Sequence, residues 1–265
     1  MPFTRAFSSL GCPELTLEDT IALAERHQIP AVELRALCGT LELPSLLAAT
    51  YGSPAALAER MRDCRVRIVS LDTSWGLATG ASAERERFLE FLPWAEALGV
   101  RCLRAFDGKA ADPAQAATLA AAAARDWQNL RRERGWQADL MVETHDSLTD
   151  TASILAFAEA APGTAILWDS HHTWRRGEDP VDTWRAIRPL VAHIHVKDSV
   201  SRPSARHPVT YVLPGDGEFP IARLLDVLRT DNYSGPLSLE WERMWHPYLP
   251  PLDEALRCAE ARGWW

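Results

Sequence analysis

Four short apolar runs in the second half of the chain each end in a carboxylate or a histidine. They read Leu140-Met141-Val142-Glu143-Thr144-His145-Asp146, Ile166-Leu167-Trp168-Asp169-Ser170-His171-His172, His193-Ile194-His195-Val196-Lys197-Asp198 and Leu237-Ser238-Leu239-Glu240-Trp241-Glu242. A single acidic residue after an apolar run is ordinarily a solvated loop residue. Four in succession at the same place in the pattern are hard to treat as independent accidents. Carboxylates buried together repel, and each loses hydration; a divalent cation removes that cost. Three carboxylates and one imidazole with open coordination positions suit one divalent ion. Hard oxygen ligands favour Mn²⁺ or Mg²⁺, with Zn²⁺ or Co²⁺ as the other choices.

The period of two along a strand puts His193, His195 and Lys197 on one face. His195 is nearest the strand end and is the expected metal ligand, while His193 lies deeper. Asp169 and His172 are three apart across an expected turn, so that Asp169 faces the metal and His172 the substrate; His171 is expected to point outward. Glu33-Leu34-Arg35 and Arg104-Ala105-Phe106 end earlier runs. Arg104 is suited to a ligand's carboxylate, phosphate or hydroxyl, or else to an ion pair with Glu33 or Asp72. Glu33, Arg104, His145, Lys197 and Trp168 are the expected substrate contacts, and Trp75, Trp168 and Trp241 are expected as aromatic walls. The turn at 213–220, with Gly215 and Gly217, is expected to lie over the same mouth.

These groups meet only if the elements carrying them are arranged around one point. Apolar runs at 5–9, 31–34, 67–71, 101–106, 139–143, 165–168, 191–196 and 237–240 predict eight strands. Helical periodicity fills the intervals at 16–27, 53–64, 83–97, 114–134, 150–160, 180–188 and 221–229, with an eighth helix at 253–261. Thr16, Asp150 and Asp179-Pro180 are start signals. Eight such alternations favour a (β/α)₈ TIM barrel formed as one domain over residues 1–265. In that fold the C-terminal strand ends converge on one mouth. No GxGxxG or GxxxxGK follows the first strand, so nucleotide-fold fingerprints are absent.

Composition narrows the setting. The net charge is −8 with no basic stripe, which argues against nucleic-acid binding. Five scattered cysteines without CxxC spacing imply reduced thiols and a cytoplasmic protein. There is no signal-peptide pattern after Met1 and no transmembrane run, so no membrane partner is expected. The tail Gly263-Trp264-Trp265 can pack on the barrel or on a second copy, which leaves a homo-oligomer open.

On 31–35, Glu143, Asp169 with His172, 193–198, 214–217 and Glu240, the chain resembles the xylose-isomerase-like barrels. These are sugar-phosphate isomerases and epimerases related to the endonuclease IV fold. The resemblance implies that Glu143, Asp169, His195 and Glu240 hold the metal, with Glu242 a rival for the last place. It also implies a small carbohydrate or polyol-derived substrate. Glu143 and Glu240 would act as general base and acid in an enediolate-type isomerisation or epimerisation, with His172 assisting. A dehydratase of a keto-polyol, such as an inosose or a dehydroshikimate-like compound, would share the first step. A non-catalytic sugar- or metal-binding barrel is the other alternative. The three-zinc DNA-repair branch needs additional histidines, and 70–73, 104–106 and 216–218 supply none.

Overall fold

The computed structural model describes residues 2–205 and 207–264. Among them, eight parallel strands close a barrel. They are β1 (Thr4–Ser8), β2 (Ala31–Leu34), β3 (Arg67–Gly76), β4 (Cys102–Phe106), β5 (Asp139–Glu143), β6 (Ala165–Asp169), β7 (Val191–Val196) and β10 (Pro236–Leu239). Barrel neighbours follow chain order, and β10 closes against β1 with Phe7 opposite Leu239. The expected strands lie within a residue or two of the observed ones, except that β3 runs on to Gly76.

The helices outside the barrel are α1 (Leu17–Arg26), α2 (Leu43–Tyr51), α3 (Pro54–Met61), α4 (Ser82–Leu98), α5 (Ala116–Arg134), α6 (Thr151–Ala160), α7 (Ser170–Arg175), α8 (Pro180–Ile187), α9 (Ile221–Thr230) and α10 (Leu252–Ala261). Their starts follow local capping. Thr16 accepts from Asp19 N at 3.1 Å, Asp150 and Ser153 form a reciprocal capping box, and Asp179 precedes Pro180 and accepts from Val181 N. Two helices were not foreseen. The first, α2, begins at Leu43 with Pro44 as its second residue, a proline that reads as a break but is tolerated in a first turn. The second, α7, occupies the expected turn after β6, because Asp169 accepts from both His171 N and His172 N and starts a helix. A small antiparallel pair, β8 (Ser199–Val200) with β9 (Thr210–Tyr211), is also new.

Alternation along each strand sorts the side chains into two layers. Val32, Leu34, Leu103, Ala105, Leu140, Val142, Ile166, Trp168, Ile194, Val196, Leu237 and Leu239 face the helices and form one buried apolar core. The intervening residues, including Glu33, Arg104, Glu143, Asp169, His195 and Ser238, face the barrel axis and are all buried. Trp264 is buried in the same core, so this part of the tail packs on the barrel; Trp265 lies outside the described residues. All five cysteines are free, and no helix among the described residues is long and apolar enough to cross a membrane.

Two aspartates tie down loops at the mouth. Asp107, after β4, accepts the backbone N–H groups of Asp146, Ser147 and Leu148 at 2.8, 2.8 and 2.6 Å. Asp198, after β7, accepts those of Gly215, Gly217 and Phe219 at 3.0, 3.0 and 3.1 Å. A Cβ at Gly217 would overlap the Asp198 carboxylate, so glycine there permits the close approach. The glycine turn is thereby fastened at the mouth beside β8, though it is not among the residues lining the cavity described below.

Candidate metal centre and active site

One oxygen from each of Glu143, Asp169 and Glu240 and one nitrogen of His195 lie within 4.8 Å of one another, all buried. The barrel order places these residues at the ends of four adjacent strands, β5, β6, β7 and β10. Register makes the match: Asp169 stands opposite His195, and Glu143 opposite Leu167, two residues before Asp169. His195 Nδ1 makes no hydrogen bond and lies 3.4 Å from Glu240 Oε1 and 3.7 Å from Glu143 Oε1. Glu143 Oε2 and Asp169 Oδ2 are likewise buried without a hydrogen-bond donor, although charged groups stand beside them. Two buried carboxylate oxygens and one imidazole nitrogen without hydrogen-bond partners, with the Glu240 carboxylate beside them, fit a divalent ion.

Glu33 lies behind this set and does not meet the cavity, which corrects its expected role as a substrate contact. Its Oε2 is 3.0 Å from His195 Nε2 and 2.9 Å from His193 Nε2. A carboxylate at Nε2 favours a proton there, so that a neutral His195 ring would present Nδ1 as a lone pair toward Glu143 and Glu240. Burial opposes the charge of Glu33, but the two imidazoles outweigh it and hold the carboxyl well below the usual range. Burial works against a charged His195 ring too; Glu33 and Glu240 overcome it and push its pKa well above the ordinary value. A metal at Nδ1 would supply that positive charge in place of the proton.

Lys197 is 2 % exposed, and its Nζ sits 2.7 Å from Asp169 Oδ2, 2.5 Å from Glu240 Oε2 and 2.6 Å from Glu242 Oε1. Its desolvation is outweighed by the three carboxylates, so the ammonium is held well above its usual pKa. Glu242 contacts Lys197 and lies outside the four-residue donor set. On the far side, Arg104 Nε is 3.2 Å from Glu143 Oε2, and its Nη2 is 3.9 Å from Asp72 Oδ2. Despite burial, Arg104 holds Glu143 down to about 2. Burial and the Glu33 charge push Asp72 up to about 7.

Beside these groups opens a cavity of about 320 Å³ whose walls include Arg35, Arg104, Glu143, Lys197, Glu240 and Glu242. That is small among ligand sites and suits a compact substrate. A larger cleft of about 820 Å³ lies at the opposite end of the barrel, around Arg67, Cys102 and His193. It contains none of the four donor residues, so the smaller cavity is the one adjoining the donor cluster.

Of the expected substrate contacts, Arg104, His145 and Lys197 line the cavity. Trp168 does not. It lies one residue before the inward-facing Asp169, points into the helix layer, donates to Thr173 Oγ1 at 3.0 Å and stacks on Trp184. Trp75 packs on Phe88, and Trp241 donates to Pro250 O, so neither is a wall of the cavity. His172 is absent from the lining as well. Its Nδ1 is 3.0 Å from Thr144 O, and its ring meets His145 edge to face at 4.8 Å, so it supports His145 from behind. His171, expected outside, is buried with Nε2 2.8 Å from Ser199 Oγ, because α7 turns it under the β8–β9 pair.

The lining also holds residues given no role from the sequence, namely Arg35, Phe106, His207, Trp245 and Leu10. Period two would have found the first two, since Arg35 follows Glu33 and Phe106 follows Arg104 by two positions. His207 and Trp245 arrive on loops, where no periodicity marks them.

Fold and site together define a (β/α)₈ barrel with a carboxylate–imidazole centre at its C-terminal mouth. The family model for the xylose isomerase-like TIM barrel matches residues 21–262, and the chain belongs to that family. Among solved structures it is similar to the probable 3-DHS dehydratase AsbF of Bacillus anthracis, with TM-score 0.78, 17% identity, and 97% of this chain and 99% of that one covered. It is also similar to an IolI protein with a bound zinc atom, with TM-score 0.76, 16% identity, and 98% and 96% covered. A third is D-psicose 3-epimerase in the presence of D-fructose, with TM-score 0.73, 14% identity and 98% of each chain covered. No curated protein sequence matches the chain significantly.

Proposed function

We propose that the protein is a divalent-metal-dependent isomerase or epimerase of a small sugar or related keto-polyol. The observation that carries this reading is the convergence of Glu143, Asp169, His195 and Glu240, with unsatisfied buried atoms on the first three, beside a cavity of about 320 Å³. The family membership and the likeness to an epimerase, a probable dehydratase and a zinc-binding barrel agree with it.

Glu143, Asp169, His195 and Glu240 would hold the ion, Mn²⁺ or Mg²⁺ by the hardness of the donors. When bound, it supplies Lewis acidity toward a carbonyl and an adjacent hydroxyl oxygen of the substrate, which acidifies the neighbouring C–H. The protein's own groups do the rest. Glu143 on β5 and Glu240 after β10 are separated by β6 and β7, so they flank the centre from two sides. One removes the proton from carbon and the other returns one, on the same carbon for epimerisation or the adjacent carbon for isomerisation. Lys197, pinned among three carboxylates, donates to a substrate hydroxyl near Glu240 or Glu242. His145, braced by His172, orients a hydroxyl on the opposite wall.

Elemental analysis of the purified protein and of the Glu143→Gln/Glu240→Gln double variant tests the centre. About one divalent ion per wild-type chain, lost in the variant, is expected for a single site of this ligand set. Incubation of the metal-loaded protein with ketoses in deuterated buffer tests the chemistry, with deuterium entering next to the carbonyl. A wild type that takes up no Mn²⁺, Co²⁺ or Zn²⁺ overturns the reading, and a product with conjugated-enone absorbance would replace it with dehydration.

A further inference from the structure

The wall of the cavity formed by β2 and β4 carries two guanidiniums with few partners. Arg104 is 1 % exposed, its Nη1 is buried without any hydrogen-bond acceptor, and its guanidinium stacks 3.9 Å above the Phe106 ring centre. Arg35 is 5 % exposed, lies 6.0 Å from the same ring centre, and among the described residues its guanidinium donates one hydrogen bond, from Nη1 to Asp72 O at 3.2 Å. Both line the cavity. Two cations against one aromatic ring repel, and an unpaired buried donor is costly, so the arrangement lacks an acceptor. Glu143 and Asp72 face Arg104 only partly, at 3.2 and 3.9 Å, and leave Nη1 open.

We infer that Arg35 and Arg104 form an anion subsite, and that the substrate is an acidic sugar derivative whose carboxylate sits on this pair while its carbonyl end reaches the metal centre. This deepens the proposed function and rests on it. A planar carboxylate can bridge two guanidinium forks, and the ring of Phe106 holds one fork in place. A monoanion is favoured over a phosphate dianion, because Glu143, Glu240 and Glu242 share the cavity and would repel the second charge.

The test is calorimetric binding to Mn²⁺-loaded protein of each D-ketohexose against its C6 uronate, which differs only in having a carboxylate for the terminal hydroxymethyl. At least one uronate is expected to bind about ten- to a hundredfold more tightly than its parent, as charge-assisted hydrogen bonds allow. In Arg35→Gln, shown to be folded by its retained Mn²⁺ binding, that preference should fall to less than about threefold, the loss of one such bond. Arg35→Lys should restore part of it. Equal binding of ketose and uronate overturns the anion subsite but leaves the sugar reading standing. If neither class binds, the sugar reading itself fails and takes the subsite with it. Tighter binding of a ketohexose 6-phosphate than of the uronate assigns the pair to a phosphoryl group and overturns the carboxylate.

Discussion

Replacing Lys197 by methionine removes the one ammonium that lies among Asp169, Glu240 and Glu242 at 2.5–2.7 Å. Methionine fills nearly the same volume, so the loss is mainly electrostatic. All four residues are largely buried, with side-chain exposures of 2, 0, 7 and 14 % for Lys197, Asp169, Glu240 and Glu242, so solvent screens little of it. Breaking a buried ion pair by deleting one partner costs about 3–5 kcal/mol. At about 2–4 °C per kcal/mol for a chain near this size, the metal-free variant should melt about 6–20 °C below the metal-free wild type. A divalent cation held by Asp169 and Glu240 offsets the same carboxylate repulsion. Saturating Mn²⁺ should therefore raise the melting temperature of Lys197→Met by several degrees more than that of the wild type. Scanning calorimetry of both proteins, stripped with chelator and then reloaded, gives the four numbers needed. A metal-free variant within about 2 °C of wild type, less than 1 kcal/mol, would show that Lys197 does not neutralise the cluster. Equal Mn²⁺ gains in the two proteins would show that ammonium and metal do not share these carboxylates.

Two further outcomes follow from the packing. Trp168→Phe should cost about 1–3 kcal/mol, because it leaves Thr173 Oγ1 without its indole donor and thins the stack on Trp184. Urea unfolding checks that cost, and Mn²⁺ affinity should stay within about twofold, under half a kcal/mol, since the ring faces away from the cavity. Asp179 caps α8 and receives Arg223 Nη1 at 2.6 Å; slight burial opposes its charge, but Arg223 and the helix N–H groups lower its pKa from 3.8. A depressed carboxyl contributes stability that is present above its unfolded value and lost as pH falls through its folded one. The stability advantage of wild type over Asp179→Ala should thus be full above about pH 4 and shrink on acidification, as melting curves across that range would record. An advantage that grows toward low pH would contradict the capping role.

Alternation of apolar runs with helical segments was enough to determine the barrel, its eight strands and the end at which polar groups collect. The reason is local: strand and helix periods are written in side-chain polarity, and closure follows from eight repeats. The same period of two could have sorted the site further. Asp169 faces the axis, so Trp168 must face the helices, and Arg35 must share the face of Glu33. Which inward groups meet was decided by the strand register around the closed barrel. It sets Asp169 opposite His195, drops Glu33 behind His195 where it favours a proton on Nε2, and brings Lys197 among three carboxylates. These are contacts between residues up to 162 positions apart in the chain, so no short window contains them. Loop conformation was likewise a tertiary result, because Asp107 and Asp198 collect backbone N–H groups from distant segments, and those hydrogen bonds leave no pattern in residue type.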